Sequence, residues 1–105
     1  MATADLSIIP LGGSGPSVGP YLAEIKRRLE RETRVRARMH ATGTSLEGET
    51  DDILAVVAEM HAVPFELGLP RVYTILKLDE RRDRPGQTLE DKVRSVEERL
   101  GGDVA

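Results

Sequence analysis

The clearest pattern along the chain is the alternation Arg34-Val35-Arg36-Ala37-Arg38-Met39. Successive side chains of a strand point to opposite faces, so a strand over residues 34–42 places Val35, Ala37, Met39 and Ala41 on a core face. Arg34, Arg36, Arg38 and His40 then form a cationic face. Before this strand the period changes. Val18, Leu22, Ile25 and Leu29 recur at helical spacing over residues 18–32, with Glu24, Lys26, Arg27, Arg28 and Arg31 on the other sides. Ser17 offers this helix a capping hydroxyl. A second helix is expected from Thr50, where Asp51 and Asp52 suit the positive end of the helix dipole and Ile53, Val57 and Met60 form a buried stripe. Pro64 lacks a backbone donor and should end or kink it.

Shorter runs supply the remaining elements. Residues 5–9 read as a strand closed by Pro10 and the glycine-rich loop 11–15, and residues 44–46 as a strand ended by Gly48. In residues 71–78, Val72, Thr74, Leu76 and Leu78 alternate with Arg71, Tyr73, Ile75 and Lys77. Apolar groups on both sides predict that both faces are covered. A Pro85-Gly86 turn leads to a last helix, which Thr88 caps with Asp91 in the reciprocal position and in which Leu89, Val93, Val96 and Leu100 share a face. The order strand, helix, strand, strand, helix, strand with right-handed crossovers is the ferredoxin-like βαββαβ sandwich of the α+β class, here with an additional C-terminal helix. Tyr73 and Ile75 would lie on the sheet face opposite the first two helices, so the final helix or a second subunit is expected to cover part of it.

At 105 residues the chain is expected to form one domain over 1–105, burying ~65% of the surface its unfolded chain exposes. With one Phe, two Tyr and no Trp, the core must be thin and aliphatic, which favours self-association. No cysteine is present, so thiolate chemistry, disulfides and cysteine metal sites are excluded and a reducing, cytoplasmic location is expected. No apolar run approaches the ~20 residues of a membrane span. A net charge of −3 argues against a general nucleic-acid binder, whose affinity rests on neutralising phosphates.

Several local patterns admit a chemical reading. Gly12-Gly13-Ser14-Gly15 invites an anion, yet Val18 breaks the dinucleotide-binding spacing and no Gly-Lys-Ser/Thr follows, which leaves a plain strand-to-helix connection. His40 and His61 belong to no metal-binding sequence; His61 reads as a helix-surface residue and His40 as an exposed strand residue beside three arginines. The arginine stripe is either a solvated or subunit-contacting face or an RNA surface. The stacking aromatics of RNA-recognition domains are missing from the first strand. No nucleophile system is gathered, so an enzyme is not expected. Residues 40–49, HATGTSLEGE, bring hydroxyls, carboxylates and glycines to one strand-to-helix corner. Glu47 and Glu49 are either solvated acids or acceptors for paired N–H groups of an aminopyrimidine, with Thr42, Thr44 and Ser45 as adaptable donors and acceptors.

These pieces in order, residues 7–12, Ser17-Val18, Thr42-Gly43-Thr44, Leu46-Glu47-Gly48-Glu49, residues 68–74, residues 77–81, residues 88–93 and Val96-Glu97, resemble the small thiamine-binding, YkoF-like family across almost the whole chain. The resemblance implies a ferredoxin-like subunit assembling into dimers or tetramers. It also implies non-catalytic binding of thiamine or its hydroxymethylpyrimidine part, with no cofactor, metal, membrane or nucleic-acid partner. It places ligand contacts on Thr42, Thr44, Ser45 and Glu47, with Ser17 and Arg71 as additions, and has Glu47 hold the amidine-like edge of the pyrimidine. The departures from the pattern are His40-Ala41 and Pro64-Phe65. A structural or regulatory interaction module, assembling through the sheet face and C-terminal helix, is the alternative.

Overall fold

A computed structural model describes residues 1–13, 15 and 17–102. The elements run β1 (Ala2–Leu11), α1 (Gly19–Glu30), β2 (Val35–His40), β3 (Gly43–Gly48), α2 (Thr50–Glu66), β4 (Arg71–Glu80) and α3 (Leu89–Gly102). The strands form one antiparallel sheet in the order β2-β3-β1-β4, the ferredoxin-like arrangement with α3 added.

Alternation in β1 organises the core. Ala2, Ala4 and Leu6 are buried on one face, and the register sets Ala4 between Leu46 and Leu78, and Leu6 between Thr44 and Leu76. Against this face pack Ile25 and Leu29 of α1 and Ile53, Val56, Val57, Met60 and Val63 of α2. Each fully buried aliphatic side chain, such as Leu46 or Ile53, contributes roughly 1.5–3 kcal/mol of transfer free energy, so the two helices are held by hydrophobic burial rather than by their surface ion pairs.

The strands are longer than residues 5–9, 44–46 and 71–78. β1 continues through Pro10 because its pairing with β3 stops at Leu6, leaving a stretch bound to β4 alone where a missing N–H is tolerated. β2 is shorter than expected and buries only Val35; Ala37 and Met39 stay exposed because β2 is an edge strand. α1 begins at Gly19, with exposed Val18 as its cap residue and Pro20 in its first turn, so Val18 does not join the stripe. Ser17 Oγ accepts the Gly19 N–H at 3.3 Å rather than capping the helix. Pro64 lies buried in the last turn of α2, which ends two residues later at Glu66.

His61 is not a surface residue. It is half-buried, its Nδ1 lies 2.6 Å from Thr74 Oγ1 on β4, and Phe65 packs edge-on at 5.5 Å between ring centroids. The helix face of His61 therefore meets the sheet, a contact that its polar character concealed. The opposite sheet face is only partly covered. Tyr73 is 51% exposed and Ile75 42%, and Val93, Val96 and Leu100 of α3 are more exposed still, so the anticipated cover on both faces of β4 is missing within the subunit. Ser14 of the glycine loop lies outside the described residues.

Candidate functional site

The hinge of the polar corner is Glu47. Its neighbour Leu46 is fully buried under the helices, so Glu47 projects to the opposite face, where it is 4% exposed. There Oε1 accepts from Arg36 Nη1 at 2.8 Å and Oε2 accepts the Leu89 N–H at 2.9 Å. Arg36 also reaches Glu90, and Lys92 pairs with Asp79. Arg36 is held in its charged form chiefly by the hydrogen bond to Glu90, then by the charge of Glu47. The start of α3 completes its own capping box, with the Thr88 N–H donating to Asp91 at 3.0 Å and the Asp91 N–H donating to Thr88 Oγ1 at 3.1 Å. The Thr88 backbone N–H, followed by the Thr88 side chain, holds the Asp91 carboxyl below its usual range, with the Arg94 charge adding to them. Glu47 thus satisfies a free N–H of a helix start and ties α3 to β3. With both oxygens engaged and the group buried, it presents no open acceptor edge of the kind expected for a pyrimidine.

Two concavities flank this corner. A cleft of about 590 Å³ lies between α3 and the sheet, lined by Arg36, Arg38, Ser45, Leu89, Val93 and Glu97 among others. A smaller cavity, about 270 Å³, opens at the β2–β3 hairpin. Its apolar wall comes from Leu6, Ile8, Ile9, Leu22, Ile25, Met39 and Ile75, and Ser7, His40, Thr42 and Thr44 contribute the polar groups. It exists because β1 runs past the end of β3, leaving the Ser7–Leu11 stretch without a neighbour on that side. The hairpin is held over this gap by Ser7 Oγ, which donates to the Thr42 carbonyl at 3.1 Å.

The residues expected to share one site are therefore divided. Thr42 and Thr44 line the hairpin cavity, and Ser45 lines the α3 cleft beside the buried Glu47. Ser17 lies exposed before α1 and Arg71 exposed at the start of β4, and neither lines either concavity. The sequence reading overlooked Ser7 and Ile9 of β1, which line the hairpin cavity. Their odd-numbered alternation, continuous with Tyr73 and Ile75 across the β1–β4 register, was the available signal. Among the described residues no group of His, Asp and Glu side chains could hold a metal ion, and no helix is long and apolar enough to cross a membrane.

The sequence profile described as thiamine-binding protein matches residues 4–97, which runs from within β1 into α3. The chain belongs to the thiamine-binding protein family. Among relatives of this family member, UPF0045 protein YqgV of Bacillus subtilis is 41% identical over 103 residues, covering 95% of this chain and 98% of the relative. UPF0045 protein ECM15 of Eremothecium gossypii is 38% identical over 96 residues, covering 91% of this chain and 90% of its own. The solved structure of Methanocaldococcus jannaschii MJ1052 superposes with a TM-score of 0.81 at 35% identity, over 92% of this chain and 96% of that one. A candidate thiamine biosynthesis/salvage protein of Thermotoga maritima shares the fold at a TM-score of 0.74 and 19% identity, over 90% and 97% of the two chains.

Proposed function

We propose that this family member binds thiamine or a related hydroxymethylpyrimidine without catalysing its conversion, and that the ligand's pyrimidine sits in the β2–β3 hairpin cavity. Membership of the thiamine-binding family carries the ligand class. The cavity supports the placement: its size suits a single heterocycle better than a large cofactor, its walls are largely apolar, and Ser7, His40, Thr42 and Thr44 supply its few polar groups. Thr42 and Thr44 are the hydroxyl contacts in this reading, since a hydroxyl can donate to a ring nitrogen or accept from an amino group. Glu47 acts at a distance by holding α3 on β3, and Ser45 faces the neighbouring cleft. A small reducing-compartment protein that holds its ligand and releases it unchanged needs neither metal nor nucleophile.

Titration calorimetry on ligand-stripped protein tests the proposal. Thiamine and hydroxymethylpyrimidine should bind saturably, and Thr44→Val should weaken binding about fivefold, the equivalent of one hydrogen bond worth ~1 kcal/mol. Full affinity in that variant would remove Thr44 from the site.

A second reading rests on a separate observation. Ile9, Tyr73 and Ile75 of the sheet and Val93, Val96 and Leu100 of α3 are exposed apolar side chains on the face that α1 and α2 leave open. They support assembly into a homodimer or homotetramer, with or without ligand.

A further inference from the structure

We propose that Asp5 and His40 form the specificity-determining pair of the hairpin cavity, with Asp5 fixing the imidazole so that Nδ1 accepts a hydrogen bond from an amino group on a heteroaromatic ligand. This rests on the functional reading above and adds to it the feature that selects the ligand.

The pair is built across two strands. Asp5 lies on β1 opposite Ser45, and His40 lies on β2 opposite Gly43, so the imidazole reaches over β3 to place Nε2 3.1 Å from Asp5 Oδ1. It crosses where β3 has no side chain. A Cβ at Gly43 would stand 3.3 Å from His40 Cε1, 3.1 Å from Ser7 Oγ and 2.7 Å from the Leu6 carbonyl oxygen. Gly43 is thus the gap that lets His40 and Ser7 approach each other at the cavity that both line.

The pair is a poor stabilising device. Both side chains are more than two-fifths exposed, and ion pairs of that exposure contribute between nothing and ~1 kcal/mol. Its chemistry suits orientation instead. An ionised carboxylate can only accept, so it selects the imidazole form with hydrogen on Nε2, and in the neutral ring Nδ1 is then an acceptor. Among the described residues Nδ1 has no hydrogen-bond partner. The lining hydroxyls of Ser7, Thr42 and Thr44 adapt to either role; the oriented imidazole cannot. An amino-substituted ring supplies the missing donor. A ring with a carbonyl in the same place would set lone pair against lone pair.

The experiment compares thiamine with oxythiamine, in which the pyrimidine amino group is replaced by a carbonyl, by calorimetry at about pH 8. The unaltered protein should favour thiamine by about tenfold or more, a difference of ~1.4 kcal/mol. Asp5→Asn, whose amide can donate to Nε2 and move the proton to Nδ1, should narrow the ratio, and His40→Gln should bring it within about threefold. Thiamine binding with the original ratio in both variants would overturn the role of the pair and leave the functional reading intact. No binding of either compound to the unaltered protein would overturn both. Nitrogen-15 spectra of the unaltered protein, which has only one other histidine, give a reading independent of the variants. His40 should carry its proton on Nε2, and a proton on Nδ1 would contradict the proposal.

Discussion

Glu47 follows the buried Leu46 and therefore emerges on the far face of the sheet, where it meets the first turn of a helix more than forty residues along the chain. A carboxylate between a strand and a helix start looks in sequence like a free acceptor, and nothing local signals that the Leu89 N–H arrives to occupy it. Removing it leaves the half-buried Leu89 N–H without its acceptor and the Arg36 guanidinium with Glu90 alone. Glu47→Ala should cost about 2–3 kcal/mol in urea unfolding, and Glu47→Gln, which keeps an acceptor but loses the charge, about half as much. Wild-type midpoints in both would remove Glu47 from the hinge. Glu32 provides the pH-dependent counterpart just before β2. The side chain of Arg34, followed by its backbone N–H, holds the Glu32 carboxyl down from 4.5 to about 2. A carboxyl lowered by folding stabilises above its unfolded value, and that contribution is lost as pH falls through its folded value. Acid titration should accordingly show stability declining between about pH 4.5 and about pH 2, and Glu32→Gln should flatten that part of the curve.

At the scale of elements, the sequence spoke most clearly where one physical rule acted alone. Alternation located β2, and helical spacing located Ile25 and Leu29 of α1 and Ile53, Val57 and Met60 of α2, all of which are buried. The Thr88/Asp91 box was legible because its two bonds join residues three apart. Strand ends were not, since pairing with a distant partner decides them: β1 continues through Pro10 only because β4 runs beside it. The hairpin cavity was half legible for the same reason. Thr42 and Thr44 stand two residues apart in sequence, whereas Ser7 joins them through the sheet and Asp5 stands behind His40. α3 is the element whose attachment is narrowest, since its apolar stripe is exposed and it bonds to the sheet through Leu89, Glu90 and Lys92 of its first turn. Thr88→Ala should cost ~1 kcal/mol at that cap, read as faster hydrogen exchange at the start of α3 while the core amides of β1 keep their protection. Equal acceleration throughout would show that α3 does not open separately.

At the scale of the whole molecule, one sheet face is closed by α1 and α2 and the other is shared between α3 and open apolar surface. Sedimentation over a range of concentrations should show a dimer or larger assembly, and Ile75→Glu should shift it towards monomer by placing a charge in the contact. A monomer throughout would end the assembly reading while leaving the cavity untouched, because the cavity walls named here come from a single chain. Fold and family are in place for a binding protein, so the decisive quantity is the ligand itself. Titration calorimetry of stripped, folded protein with thiamine and hydroxymethylpyrimidine, with uracil as the control, measures it directly. Saturable heats for the first two and none for uracil are the predicted result; equal silence from all three, in a protein whose fold is intact, would contradict the assignment.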